Sequence, residues 1–189
     1  MFTNHSTTRV ELLLVKFTNG NSVTAPSTTN DIYSASRQTS QSFAGESNGQ
    51  TTYLSFLIWQ YGSGGQFGGF GGIYVGNSTN EFAPKLFLGR GGNSNNWQIE
   101  TLGGTGSIVS NEAIVVNQTA LLVVKLETLA GHDRFTLFVN PTTHSEPTTG
   151  FVKNDLDLGI ANRISMYHTG EFMMDEIRIG TTFTDVVTA

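Results

Sequence analysis

Three carboxylates near the C-terminus raise the question of glycoside chemistry: Glu171, Asp175 and Glu176. A retaining glycoside hydrolase needs two carboxyl groups about 5–5.5 Å apart, flanking the sugar bond. Side chains alternate between the two faces of a strand, so Asp175 and Glu176 are expected on opposite faces. Glu171 and Asp175 share a nominal face, but they are four positions apart and Met173 stands between them. The spacing therefore predicts no catalytic pair.

A second acidic stretch, residues 154–159 with the sequence NDLDLG, raises the question of calcium. Asp155 and Asp157 offer two carboxylates, whereas calcium takes about six to eight oxygen ligands. The bidentate glutamate of an EF-hand loop is missing at its spacing. Two interpretations stay open: a calcium site, or a polar strand edge, which the incomplete ligand set favours. Ca²⁺ is the only cofactor that the sequence suggests.

Aromatic and amide side chains form a third group, suited to sugar binding. A flat ring can stack on the apolar face of a pyranose while amides bind its hydroxyls. The ligand-binding residues that we predict combine rings with a pair of amides: Tyr61, Phe67, Phe70, Asn95, Asn96 and Trp97. Trp59 and Tyr167 are further aromatic candidates. Trp97 has two interpretations, because it follows the amides as a sugar-binding ring would but shares a strand face with Ile99 as a core residue would.

Residue types and spacing exclude several other kinds of chemistry. The chain has no cysteine, which excludes disulfides, thiol catalysis and cysteine-ligated zinc. Its four histidines are scattered, without the spacing of a zinc site. The glycine-rich residues 62–72 (GSGGQFGGFGG) lack the Gly-x-Gly-x-x-Gly and Gly-Lys-Ser/Thr patterns of phosphate-binding loops. These residues are interpreted instead as a long hairpin loop.

Composition narrows the partners. The net charge is −5, from 15 acidic and 10 basic residues, which argues against nucleic acid because that partner requires a basic face. No apolar stretch reaches the length of about 18 residues that a membrane-spanning helix needs. Only 13% of the 189 residues are charged.

Strand patterns dominate the chain, and no segment predicts a helix. The predicted strands cover residues 8–17, 53–59, 73–75, 85–88, 97–101, 120–127, 134–140, 163–168 and 172–179. Residues 130–133, with Gly131, predict one hairpin turn, and residues 169–171 predict another. The 22 glycines punctuate short strands throughout. This pattern predicts an all-β fold, a two-sheet antiparallel β-sandwich.

Four segments carry a resemblance to a known family: residues 52–57 (TYLSFL), 86–90 (LFLGR), 121–125 with 137–141, and above all 174–186 (MDEIRIGTTFTDV). Together they resemble the laminin G-like, concanavalin A-like jelly rolls of bacterial surface and exported proteins. The resemblance covers residues 34–189. It implies two packed antiparallel sheets in a non-catalytic module for carbohydrate binding or adhesion, often with calcium. It also implies Asp175 as a candidate calcium ligand.

We therefore expect one domain over residues 1–189, with residues 1–33 forming a peripheral strand and a long loop. The first residues do not have the pattern of a signal peptide, so either the protein is cytosolic or the chain is a mature or excised domain. We favour the second alternative and expect a secreted or cell-surface protein. The favoured function is a carbohydrate-binding or adhesive module whose partner is a glycan or another surface protein. One alternative is a self-associating structural subunit, with residues 3–18 adding a strand to a neighbour. The other is a glycan hydrolase or lyase on the same fold.

Overall fold

The structure, a computed structural model, describes residues 33–61, 69–77, 85–92, 94–102, 105–169 and 171–187. The predicted strand over residues 8–17 and the segment 3–18 lie outside these residues. The strands and one short helix are, in chain order, β1 (Tyr33–Gln38), β2 (Thr51–Gln60), β3 (Gly71–Gly76), β4 (Leu86–Arg90), β5 (Asn96–Thr101), β6 (Thr105–Ala113), β7 (Thr119–Glu127), β8 (Asp133–Val139), β9 (Phe151–Leu156), β10 (Arg163–His168), β11 (Phe172–Gly180) and α1 (Phe183–Val187). Among the described residues, no helix is long and apolar enough to cross a membrane.

The strands form two antiparallel sheets. One has six strands in the order β1-β10-β3-β4-β5-β6, and the other has five in the order β11-β2-β7-β8-β9. The predicted all-β, two-sheet antiparallel sandwich is confirmed. The hairpin through Gly131 is confirmed as well: β7 pairs with β8, and Gly131 has a φ of 97°.

Alternation along the strands builds the core between the sheets. In β3, β4 and β5, most inward-facing residues are apolar and almost fully buried, including Ile73, Leu88 and Ile99. The facing strands β2, β7 and β8 contribute residues such as Phe56 and Leu137. Burying each such side chain stabilises the fold by about 1.5–3 kcal/mol relative to leaving it exposed. The period of two therefore leaves the opposite face of each sheet to other side chains.

The outer face of the five-stranded sheet is partly covered by α1. Phe183 and Val186 of the helix pack against Tyr53, Val123 and Phe138 of the sheet. The rings of Tyr53 and Phe138 each meet Phe183 edge to face. This contact covers part of that face with apolar packing.

A buried lysine links the two sheets along one side of the sandwich. Lys153 on the edge strand β9 has a side chain with no exposed surface. Its Nζ donates to the carbonyl of Gly106 on β6, at 2.8 Å, and to Asp155 Oδ1, at 2.5 Å. Because β6 and β9 belong to different sheets, the ammonium group joins their edges.

Three local predictions were wrong. The turn at residues 169–171 does not close a hairpin, because β10 and β11 belong to different sheets. The hairpin predicted at residues 62–72 is wrong for the same reason, because β2 and β3 belong to different sheets, and residues 71–72 are part of β3. Gly89 lies inside β4 instead of ending the strand. In each case local turn chemistry was visible, but the partner strand depends on distant residues. The sequence prediction also missed β1, β6, β9 and the short α1.

Candidate functional site

The outer face of the six-stranded sheet carries an unusual concentration of aromatic and polar side chains. Ile73 and Leu88 point to the core, so Tyr74 and Phe87 next to them point away from it. Tyr74 and Phe87 are also cross-strand partners. Phe87 is only 1% exposed although it lies outside the core cluster, so the outer face has its own packed floor.

Four rings form a continuous group on this face, which we call the ring cluster: Phe70, Tyr167, Tyr74 and Phe87. The Tyr74 ring lies 5.0 Å from Phe87 and 5.3 Å from Tyr167, between centroids. Tyr167 stacks on Phe70 at 5.0 Å with an interplanar angle of 22°. Each pair is in the range where aromatic contacts are favourable. Phe70, Tyr74 and Tyr167 are half-buried, so the cluster presents ring surface above the buried Phe87.

Two hydrogen bonds hold Phe70 in the cluster although it precedes β3. Its carbonyl accepts from the Thr169 N–H at 2.8 Å, and its N–H donates to Thr169 Oγ1 at 3.2 Å. Thr169 directly follows β10, the strand that carries Tyr167. The backbone contact therefore places the Phe70 ring beside Tyr167.

A polar group borders the ring cluster at β5. Gln98 and Glu100 alternate with Trp97 and Ile99, and Glu100 is the cross-strand partner of Phe87. The Glu100 carboxylate accepts hydrogen bonds from the Gln98 amide and, at 2.7 Å, from the Ser107 hydroxyl. Burial raises the pKa of the Tyr74 hydroxyl, and the charge of Glu100 raises it further. The carboxylate thus lies close enough to act on the rings electrostatically.

Two glycines occupy the row of the sheet between Tyr167 and Gln98. Tyr167 pairs with Gly72, which pairs with Gly89, which pairs with Gln98. A Cβ on Gly72 would lie 2.1 Å from the Leu88 carbonyl oxygen. A Cβ on Gly89 would lie 2.2 Å from the Gly71 carbonyl oxygen. No side chain fits at either position, so no side chain projects from Gly72 or Gly89 beside the ring cluster.

A guanidinium group lies at the opposite border of the face. Arg163 on β10 points to the same side as Ser165 and Tyr167. Its Nη1 donates to the Ser36 hydroxyl at 3.2 Å and its Nη2 donates to Gln38 Oε1 at 3.0 Å. The face therefore combines stacked rings, a fixed carboxylate and a fixed guanidinium group.

Comparison with known proteins bears on the fold. No protein-family model and no curated protein matches the chain. A heptameric SAP-like pentraxin from Limulus polyphemus matches at 9% identity and a TM-score of 0.53, covering 87% of this chain and 79% of the pentraxin. The fold is a concanavalin A-like jelly roll. At this identity the likeness concerns the fold alone.

Two further structures match this jelly roll less closely. The homodimeric agglutinin CG-16 from chicken liver has 11% identity and a TM-score of 0.46, covering 78% of this chain and 100% of the agglutinin. The carbohydrate binding module CBM66 from Bacillus subtilis has 12% identity and a TM-score of 0.45, covering 78% and 81%.

The predicted ligand-binding residues are distributed over several parts of the jelly roll. Phe70 lies in the ring cluster. Asn95 is exposed directly before β5, and the Asn96 amide donates to the Ser110 carbonyl at 2.8 Å. Trp97 is 2% exposed and packs in the core, so its ring cannot stack on a ligand and the core interpretation applies.

Tyr61 follows β2, and its ring lies 5.3 Å from Trp59 instead of joining the ring cluster. Burial raises the pKa of the Tyr61 hydroxyl, and the charge of Glu171 adds to this effect. Phe67 lies outside the described residues.

The predicted metal ligands have other partners. Asp155 is paired with Lys153, and the hydrogen bond from that lysine lowers the pKa of the Asp155 carboxyl. Asp157 Oδ1 accepts from the Gly159 N–H at 3.1 Å, and Asp175 Oδ1 accepts from the Glu176 N–H at 2.7 Å. No group of three or more histidine, aspartate or glutamate side chains that could hold a metal occurs within the described ranges.

Two of the three acidic residues of the C-terminal stretch, Asp175 and Glu176, lie away from the ring cluster. Asp175 belongs to β11, in the five-stranded sheet. A β-bulge follows it, and Glu176 has a φ of 53°. Asp175 and Glu176 are therefore both exposed, and the expected strict alternation does not hold there. Glu176 forms an ion pair with Arg178, at 2.5 Å.

Residues 45–49 (GESNG) fit the Gly-x-Ser-x-Gly spacing of a hydrolase nucleophile elbow. In the structure they form a bend and a turn that lead into strand β2, whereas an elbow joins a strand to a helix. Ser47 is exposed and is not among the positive-φ residues. The spacing does not make an elbow here.

The sequence analysis missed most of the site: Tyr74, Phe87, Gln98, Glu100, Ser107 and Arg163. A usable signal was present in the strands themselves. Tyr74 and Phe87 each stand between two aliphatic residues, so the aliphatic residues mark the core and the ring between them marks the outer face. Only the pairing of the strands places these rings side by side.

Proposed function

We propose that the protein binds glycans on the outer face of its six-stranded sheet, as a non-catalytic module. The observation that carries the proposal is the ring cluster bordered by the hydrogen-bonded carboxylate of Glu100. Stacked rings supply apolar contact for a pyranose. Glu100 is 8% exposed and its carboxylate keeps acceptor positions beyond those used by Gln98 and Ser107, so it can accept a hydrogen bond from a sugar hydroxyl. A polar group that is already held in place contributes more to the binding affinity than a mobile one, because less conformational entropy is lost when the ligand binds.

The number of carboxylates supports binding over hydrolysis. On strands β1, β10, β3, β4 and β5, the described residues that point to this face include one carboxylate, Glu100. The edge strand β6 carries a further exposed carboxylate, Glu112, beside Asn96, which is four residues and about 13 Å along β5 from Glu100. Both hydrolytic mechanisms with carboxylate pairs need a second one within about 10 Å, on the other side of the scissile bond. Glu171 and Asp175, the earlier candidates, belong to the other sheet or the turn before it.

An extracellular bacterial setting and an adhesive role are part of the same proposal. They rest on the resemblance of residues 174–186 to exported jelly-roll modules. The self-associating subunit remains a hypothesis, since residues 3–18, which would add the strand, lie outside the described residues.

A glycan array followed by titration calorimetry tests the proposal. We expect one glycan class to bind and Tyr74→Ser to weaken its affinity by about tenfold, because one stacked ring contributes about 1–1.5 kcal/mol. Trp59→Ser is the matched control: it removes a half-buried ring from the other sheet and should leave the affinity unchanged. Urea unfolding of both variants verifies that they fold.

Two results would contradict the proposal. One is silence of the wild-type protein across neutral, acidic and amino sugars. The other is a reversed pattern, in which Trp59→Ser abolishes binding and a folded Tyr74→Ser variant binds normally.

A further inference from the structure

Arg163 is a cation on the candidate binding face, and no carboxylate among the described residues forms an ion pair with it. The described ion pairs involve Lys125, Arg134, Lys153 and Arg178, each within 4.0 Å of a carboxylate. The Arg163 guanidinium instead bonds to the neutral side chains of Ser36 and Gln38, and its buried Nε has no hydrogen-bond partner within the described structure. Its charge is therefore held in position without being neutralised by these neighbours.

The cross-strand partner of Arg163 offers no side chain that could neutralise the guanidinium. Arg163 pairs across the strands with Gly76, which has no side chain. Arginine presents a planar fork of donors that matches a carboxylate in a bidentate fashion.

The distance from Arg163 to the rings suits one sugar residue. Arg163 and Ser165 are successive residues on this face of β10, which places their Cα atoms about 7 Å apart. Ser165 is the cross-strand partner of Tyr74. A pyranose stacked on Tyr74 or Tyr167 can thus direct a substituent of its ring toward the guanidinium.

The outer face of the six-stranded sheet carries a negative charge at Glu100 and a positive charge at Arg163. Glu100 lies on β5, three strands from β10, so its Cα is about 14 Å or more from that of Arg163. A negative ligand group is repelled at the Glu100 end and attracted at the Arg163 end. The two charges therefore set the direction in which an anionic sugar lies across the rings.

We propose that the ligand is an acidic glycan, one whose uronic acid carboxylate pairs with Arg163 while its ring stacks on Tyr74 or Tyr167. This inference rests on the proposed function and adds the class of glycan to it. Uronates are favoured over neutral sugars because their carboxylate can form an ion pair with the Arg163 guanidinium while their ring stacks on the aromatic side chains.

The test compares a charged polymer with its neutral form. Polygalacturonate, alginate and hyaluronan are titrated into the protein, alongside methyl-esterified polygalacturonate and neutral glucans and galactans. We expect at least one polyuronate to bind, its methyl ester or neutral counterpart to bind at least tenfold more weakly, and added salt to weaken the charged complex. Arg163→Gln should remove both the preference and the salt dependence, and Arg163→Lys should retain part of each.

Arg134→Gln is the matched control, since Arg134 is an exposed cation on the other sheet. It should change neither preference. Equal binding of charged and neutral polymers, or an unchanged preference in Arg163→Gln, overturns this inference while leaving glycan binding in place. If Arg163→Gln does not fold, the same comparison is made with Arg163→Lys, and full retention of the preference there overturns the bidentate pairing. Absence of binding to every glycan contradicts the proposed function itself.

Discussion

Replacing the half-exposed Asp155 should destabilise the protein more than replacing the fully buried Lys153. Asp155 Oδ1 accepts from Lys153 Nζ, whose other partner is the Gly106 carbonyl. In Asp155→Asn the ammonium stays buried without its counter-charge. In Lys153→Met the buried charge is removed and an apolar side chain of similar length takes its place.

The magnitudes follow from the exposure of the two partners. Breaking a buried pair by removing one partner costs about 3–5 kcal/mol when the remaining charge is left uncompensated. An asparagine at position 155 still offers an acceptor, so about 2–3 kcal/mol is expected for Asp155→Asn. In Lys153→Met, Asp155 is 54% exposed and regains water, so about 0–1 kcal/mol is expected.

The pH dependence has a definite sign. The hydrogen bond from Lys153 lowers the pKa of the Asp155 carboxyl below its usual value. A carboxyl with a lowered pKa in the folded state contributes stability above its unfolded pKa, and this contribution is lost as the pH falls through the folded pKa. The stability difference between wild type and Asp155→Asn should therefore shrink in acid.

Urea unfolding followed by tryptophan fluorescence measures these differences, at neutral pH and at successively lower pH. Comparable slopes against denaturant are required for the comparison. Arg134→Gln is the control: its partner Glu127 lies 3.7 Å away at the surface, so a change below about 0.5 kcal/mol is expected. The reasoning is refuted if Lys153→Met is the more destabilising variant or if the difference does not vary with pH.

Two further predictions concern a glycine and a tyrosine. Gly89→Ala should lower the free energy of unfolding by about 3 kcal/mol or more, because the new Cβ would lie 2.2 Å from a carbonyl oxygen. Gly131→Ala is the control: its Cβ meets open space and its φ is 97°, so a loss of about 1 kcal/mol is expected. Equal losses in urea unfolding would contradict the close approach at Gly89. Burial is the larger cause and the hydrogen bond to Glu146 the next, and together they raise the pKa of Tyr53 to about 12. The protonated hydroxyl therefore stabilises the folded state at pH values below the unfolded pKa of about 10, and this stabilisation is lost as the pH rises toward the folded pKa. Glu146→Gln should lower the Tyr53 pKa in an ultraviolet absorbance titration without returning it to the unfolded value, since burial is the larger cause; a wild-type pKa near 10 would oppose this account.

Much of the fold was accessible from local patterns. The alternation of Ile73, Tyr74 and Val75 and the turn around Gly131 are properties of a few neighbouring residues, so the strand β3 and the β7–β8 hairpin could be predicted. The turn at residues 169–171 shows where such patterns fail. A short polar turn between two strands fits a hairpin, but it fits a crossing between two layers equally well, and the choice depends on which distant strands pair with β10 and β11.

In the candidate site too, some residues could be predicted from local patterns and others depended on distant contacts. Phe70 and Tyr167 were found from residue type, because rings near polar loops are scarce enough to be noticed. Trp97 satisfied the same pattern and proved to be core, since the side of the strand that faces the other sheet is set by packing. Glu100 and Arg163 gave no local signal at all.

The amino-acid sequence by itself determined three properties: amphipathic strands separated by glycine turns, an acidic surface with few charges, and the absence of thiol chemistry. These properties depend on residue type and on spacing within a single strand. The tertiary structure alone decided that rings from β3, β4 and β10 meet, with a carboxylate on one side and a guanidinium group on the other. Strand order and register cause this, and they depend on contacts between residues far apart in the chain.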